Sequence, residues 1–120
     1  MKLLADVVVG LVAGWHLWFL VLEMFLWTRP VGRRVFGLSV EQAEATRVLA
    51  ANQGLYNGFL AAGLGWGLLA GAEGHVVKVF FLGCVMVAGI FGAATANRKI
   101  LWVQAVPGAL ALALVCSTHA

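Results

Sequence analysis

The chain has 120 residues, 62% of them hydrophobic and only 11% charged. A soluble domain carries about 25% charged residues, so this chain lacks the groups needed to solvate a globular surface, in keeping with its mean hydropathy of +0.96. Net charge is +3, from eight Lys/Arg against five Asp/Glu. The positives fall between apolar runs rather than in a basic stripe with interleaved aromatics, which argues against nucleic acid as a partner.

At about 20 residues per crossing, the length accommodates four spans in one transmembrane domain, 1–120, with the lipid bilayer as its solvent. The first span is expected over 7–27. Lys2 resembles the positive start of a signal peptide, but no small-x-small cleavage site follows a short apolar core, so the segment reads as retained. Trp27 suits an interfacial anchor, and Trp15 and Trp18 read as lipid-facing or interfacial. Two residues do not fit a passive anchor: His16 and Glu23 are seven apart and share nearly one helix face.

Residues 28–38 read as a loop, because Pro30, Gly32 and Gly37 break helix. With Arg29, Arg33 and Arg34 it is the most positive stretch of the chain. Ser39 and Gln42 have the spacing of a capping box, and Glu41 and Glu44 suit the positive start of a helix. An amphipathic helix start near 40–47 would lie at the membrane surface and lead into a second span, 48–70. The short turn 71–75 forces an antiparallel neighbour. That third span covers 76–96, with Lys78 near enough to its end to snorkel. Asn97, Arg98 and Lys99 form the third loop. The fourth span, 100–116, contains Pro107, which predicts a kink. Cys84 and Cys116 lie in apolar segments without metal-ligand spacing and read as small buried hydrophobes.

The expected fold is therefore all-α: an integral-membrane four-helix bundle, antiparallel and up-down. The Arg-bearing first and third loops would be cytoplasmic. Both termini would then lie on the outer side of the cell (inner) membrane, with Lys2 as a positive charge that runs against this orientation.

Counting from the cytoplasmic ends at about 1.5 Å per residue, Glu23, Asn52, Gln53 and Gln104 fall at one level, closed by Asn97 and Arg98. His16, Tyr56 and Asn57 fall deeper. Polar groups in hydrocarbon are costly unless they find partners, so this coincidence predicts a polar pocket in the cytoplasmic half of the bundle. Glu23 would act there as acid or base and Tyr56 as a proton donor. His16, Asn52, Gln53, Asn57, Arg98 and Gln104 would bind and orient a ligand.

Plainer roles stand beside these. Glu23 pairs with Arg33, Arg47 or Arg98, the amides serve as interhelical hydrogen-bond glue, and His16 packs as a hydrogen-bonded core residue. No metal site is expected, since His75 lies in the outer turn and His119 in the tail. No cofactor can be named. Gly54-x-x-x-Gly58, and Gly83, Gly89, Gly92 and Ala96 in the third span, allow close helix packing, extending to a homo-oligomer.

The strings LEMFLW (22–27), FGLS (36–39), LAANQGLYNGFLAAGL (49–64), FFLGCVMVAGIFGAAT (80–95) and RKILWVQAVP (98–107) resemble the family of small bacterial and fungal membrane proteins known as domain of unknown function 1304. The resemblance covers nearly the whole chain. It implies four spans and no settled activity.

The function expected from these readings is binding of a small lipophilic molecule, with membrane-embedded acid/base catalysis as its enzymatic form. In architecture alone this is similar to the microsomal glutathione transferase type. The alternatives are a proton-coupled exporter resembling the small multidrug resistance transporters, which also carry a lone glutamate in the first of four spans, and a structural or assembly subunit.

Overall fold

The computed structural model describes residues 1–118, so His119 lies outside the described residues. Among these there are five α-helices and no strand: α1 (Lys2–Met24), α2 (Pro30–Phe36), α3 (Val40–Leu69), α4 (Gly74–Thr95) and α5 (Val106–Thr118). A 3-10 turn, Gly71–Glu73, precedes α4, and a π-helical stretch, Leu101–Ala105, precedes α5. Three segments are long and apolar enough to cross a membrane: Lys2–Met24, Gly71–Thr95 and Leu101–Thr118. The longest helix, α3, is not among them, because Asn52, Gln53, Tyr56 and Asn57 interrupt its apolar run.

The chain divides into two compact units, Gly14–Ala61 and Met1–Ala13 together with the chain from Ala62 on. The division cuts α1 and α3, each of which contributes to both units.

In the unit Gly14–Ala61, the stretch expected as a loop holds the helix α2. The residues read as breakers define it. Pro30 stands in the first turn, where a missing N–H costs nothing, and Gly37 adopts the left-handed φ of 66° that ends it. The Gly37 and Leu38 N–H groups both donate to the Arg33 carbonyl. Gly32 is packed so tightly that a Cβ would stand 1.9 Å from the Leu26 carbonyl oxygen. Ser39 and Gln42 form the expected capping box: the Ser39 N–H donates to Gln42 Oε1 at 2.9 Å, and the Gln42 N–H to Ser39 Oγ at 3.1 Å. Trp27 is half-buried and donates from Nε1 to Thr46 Oγ1 at 3.0 Å, with its ring 4.8 Å from that of Phe36. It therefore fastens α2 to α3. Trp15 and Trp18 are exposed.

In the other unit, α3 turns into α4 through Gly71, whose φ of 65° is again left-handed. α4 starts at Gly74, so His75 belongs to its first turn rather than to a loop. The two helices meet backbone to backbone, since a Cβ on Gly74 would lie 1.9 Å from the Gly67 carbonyl oxygen. α4 then packs antiparallel on the π-helical stretch and α5, with Gly92 against Ile100, Gly89 against Ala105 and Gly108 against Val85. The predicted disturbance near Pro107 takes the form of a π-helical turn just before it. The wider turn makes room for a ring that lacks an N–H and would clash with the preceding carbonyl. Val9, Leu64, Leu82, Val85, Ala111 and Val115 form the apolar core. Cys84 is half-buried and Cys116 exposed rather than buried; both are free thiols.

Candidate functional site

The strongest polar contact among the predicted residues lies within the unit Gly14–Ala61. On α3, the buried Ala43, Ala50, Gly54 and Ala61 and the half-buried Gly58 follow the three-, four- and seven-residue spacing of one helix face. Opposite them lies the last turn of α1. A Cβ on Gly54 would stand 2.6 Å from Met24 Cγ, 3.1 Å from Glu23 Cβ and 3.2 Å from the Leu20 carbonyl oxygen; one on Gly58 would stand 2.7 Å from Leu20 Cδ1. The two helices run antiparallel here with nothing but glycine between them. That approach brings Asn57, one turn on from Gly54, to Glu23. Its Nδ2 donates to Glu23 Oε1.

Both side chains are half-buried. Among the described residues, Glu23 Oε2 and Asn57 Oδ1 have no hydrogen-bond partner. The pair therefore keeps two oxygens free to accept. With an ionised carboxylate this is an acceptor pair for an O–H or N–H group. With a protonated carboxyl it offers one donor and one acceptor.

The other predicted residues stand elsewhere. Asn52, Gln53 and Tyr56 are exposed. At about 100° per residue, Asn52 and Tyr56 point away from the Gly54 face, so the polar stretch of α3 is divided between two faces and does not form one broad one. Tyr56 is 51% exposed and leans on Phe59, its ring 5.9 Å away. His16 is fully buried and meets Phe19 edge-on at 5.5 Å. It sits two helical turns from Glu23, about 10 Å along the axis.

Arg98 and Gln104 belong to the other unit. Arg98 is exposed, and Gln104 Nε2 donates to the Val85 carbonyl at 3.1 Å, tying the π-helical stretch to α4. Asn97 accepts the Lys99 N–H at 2.9 Å and shapes the turn before it. An open groove on α4, between Phe80 and Phe91 over Gly83 and Cys84, is apolar throughout and contains none of the predicted residues. Among the described residues no group of three His, Cys, Asp or Glu side chains is placed to hold a metal.

A second charged centre was not expected from the sequence. Lys78 is buried, with 6% of its surface exposed, and its Nζ donates to Asp6 Oδ1 at 3.1 Å; Asp6 Oδ2 accepts from Lys2 at 2.7 Å. Lys78 does not snorkel, because Gly67 packs against its Cγ and the Asp6 carboxylate of α1 meets its ammonium. Asp6 and Lys78 are each the fifth residue of their helix, with opposite charge. Counting the first span from residue 7 left Asp6 outside it.

A family model described as "Protein of unknown function (DUF1304)" matches residues 10–116, which include Glu23, Asn57, Gly54 and Gly58. The chain is 32% identical over 120 residues to the uncharacterized protein YpaA of Lactococcus lactis subsp. lactis (strain IL1403), covering 98% of both chains. No solved structure matches it. By the reach of the family model and the end-to-end likeness to YpaA, the chain belongs to the DUF1304 family.

Proposed function

We propose that this is a multi-pass protein of the cell (inner) membrane, and that Glu23 and Asn57 are the polar centre of a site for a small lipophilic molecule carrying an O–H or N–H group. In this reading α3 is the fourth span, the helices run up and down, both termini are outside, and the site lies near the cytoplasmic boundary. The observation that carries it is the Asn57-to-Glu23 hydrogen bond across the glycine contact of α1 and α3. A carboxylate in an apolar helix is expensive unless it has a role or a partner. A single amide occupies only one of its oxygens.

Glu23 would accept the ligand's proton-bearing group and exchange a proton with it, and Asn57 would hold the carboxylate in orientation. The surrounding apolar side chains would favour a lipophilic body over a soluble one. The test is ligand-induced thermal stabilisation of the detergent-solubilised protein against a panel of lipophilic alcohols, amines and quinols. Stabilisation by at least one member, reduced at least tenfold in apparent affinity by Glu23→Gln, is the expected result. A panel without any response, or a response indifferent to Glu23→Gln, removes the site.

A further inference from the structure

We propose that the surface of α2 and the turn before it binds the headgroups of acidic phospholipids in the membrane that holds the protein. Between Met24 and Val40 the chain carries three arginines and no acidic residue. Arg29 and Arg34 are exposed, and among the described residues neither guanidinium has a hydrogen-bond or ion-pair partner. Arg33 is turned inward, its Nε donating to the Thr28 carbonyl at 3.3 Å. The neighbouring charges on α3 are Arg47 and Glu44, 3.9 Å apart and well exposed, and the exposed Glu41. Four arginines against these two glutamates leave the surface positive.

The platform is stiff. Gly32 sits on the Leu26 carbonyl, Phe36 on Trp27, and Trp27 on Thr46, so the backbone positions that carry the arginines are fixed. A guanidinium meets a phosphate oxygen pair through two parallel N–H bonds.

What distinguishes a phospholipid from a soluble phosphate is the apolar neighbourhood. Phe25 is 66% exposed and Val35 54%, and Val40 is exposed beside them. Exposed arginines interleaved with exposed Phe and Val match an amphiphile whose charged head joins an acyl body. The inference rests on α1 crossing the bilayer, because its end at Met24 then sets α2 at the boundary; it does not depend on a ligand at Glu23.

The experiment measures binding of fluorescent short-chain phosphatidylglycerol, phosphatidylcholine and inorganic phosphate to the detergent-solubilised full chain. Phosphatidylglycerol is expected to bind at least tenfold more tightly than phosphatidylcholine. At about fivefold per arginine, Arg29→Gln with Arg34→Gln should weaken phosphatidylglycerol about 25-fold and leave phosphatidylcholine unchanged. The matched pair Arg98→Gln with Lys99→Gln should retain the preference. Equal binding of the two lipids, equal loss in both variant pairs, or competition by inorganic phosphate at the lipid's own concentration overturns the proposal.

A second measurement separates this failure from that of the membrane reading. Val35→Cys, in a chain with Cys84→Ser and Cys116→Ser, carries an environment-sensitive dye in phosphatidylglycerol vesicles. Lipid-like emission is expected. Water-like emission overturns both the binding face and the position assigned to the end of α1, whereas lipid-like emission without headgroup preference overturns the binding face alone.

Discussion

Glu23 and Asn57 stand 34 positions apart in the chain, and what their hydrogen bond is worth depends on which partner is removed. Asn57→Leu leaves the carboxylate without its donor, at a cost of about 1.5 kcal/mol, the low end for a stranded charged group because Glu23 is only half-buried. In a Glu23→Gln background nothing charged is stranded, and the same substitution should cost about 0.6 kcal/mol, the usual worth of an interhelical hydrogen bond in a membrane protein. A double-mutant cycle on unfolding in mixed micelles should therefore return a coupling of about 1 kcal/mol. Additive costs would show that the two side chains do not sense each other.

Asp6 and Lys78 should behave asymmetrically. Asp6→Asn strands a buried ammonium and should cost about 2–3 kcal/mol. Lys78→Met keeps the stem that packs against Gly67 and leaves Asp6 paired with Lys2, so it should cost less than about 1 kcal/mol by the same unfolding measurement. Equal losses would refute the burial of the lysine. Glu23, Asn57 and Lys78 were visible in the sequence as polar groups inside apolar runs, whereas Asp6 fell just before the first. The pairings were not, because a face count from helix ends needs the true ends. α1 begins five residues before residue 7, and that shift decides whether Asp6 is in a loop or in a helix.

At the level of elements, glycine carries the packing, and its positions fall into distinct kinds that the sequence does not separate. Gly32 and Gly74 each face a carbonyl oxygen that a Cβ would approach to 1.9 Å, so an alanine there must move backbone. Gly54 faces the Met24 side chain first, with the Leu20 carbonyl oxygen no nearer than 3.2 Å, and Gly83 faces open space. Alanine substitutions should therefore rank in thermal unfolding, with Gly32→Ala and Gly74→Ala costing most and Gly54→Ala less. Gly83→Ala should be neutral or stabilising by up to about 1 kcal/mol, since alanine is the better helix former. A Gly83→Ala loss as large as that of Gly74→Ala would contradict the packing.

The same element scale explains what was legible. The capping box of α3 could be read from Ser39 and Gln42 because it is local. α2 could not, since Pro30 and Gly37 signal a break wherever they occur. Here they bound a helix, with Pro30 in its first turn, Gly37 at its left-handed end and Gly32 packed on the Leu26 carbonyl.

For the whole molecule, the open question is how many times the chain crosses the bilayer, and α3 decides it. Three helices pass on length and apolar character alone. α3 has 30 residues, about 45 Å, enough for a hydrocarbon core of about 30 Å with some ten residues to spare. The surplus corresponds to the charged start that holds Glu41, Glu44 and Arg47. Its polar middle lowers its apolar character, but Asn57 is already partnered by Glu23. Asn52 and Gln53 lie four to five residues nearer the helix start, toward the boundary where headgroups and water can satisfy them.

Three crossings would put the termini on opposite sides of the membrane; four put them on the same side. Four also set Arg29, Arg33 and Arg34 on the same face as Arg98 and Lys99, as the distribution of positive charge requires. Reporter fusions that are active only outside the cytoplasm, made at the N-terminus, after Lys99 and after Thr118, should be active at both termini and silent after Lys99. Activity at one terminus alone would remove α3 from the spans, and with it the boundary position assigned to the Glu23–Asn57 pair.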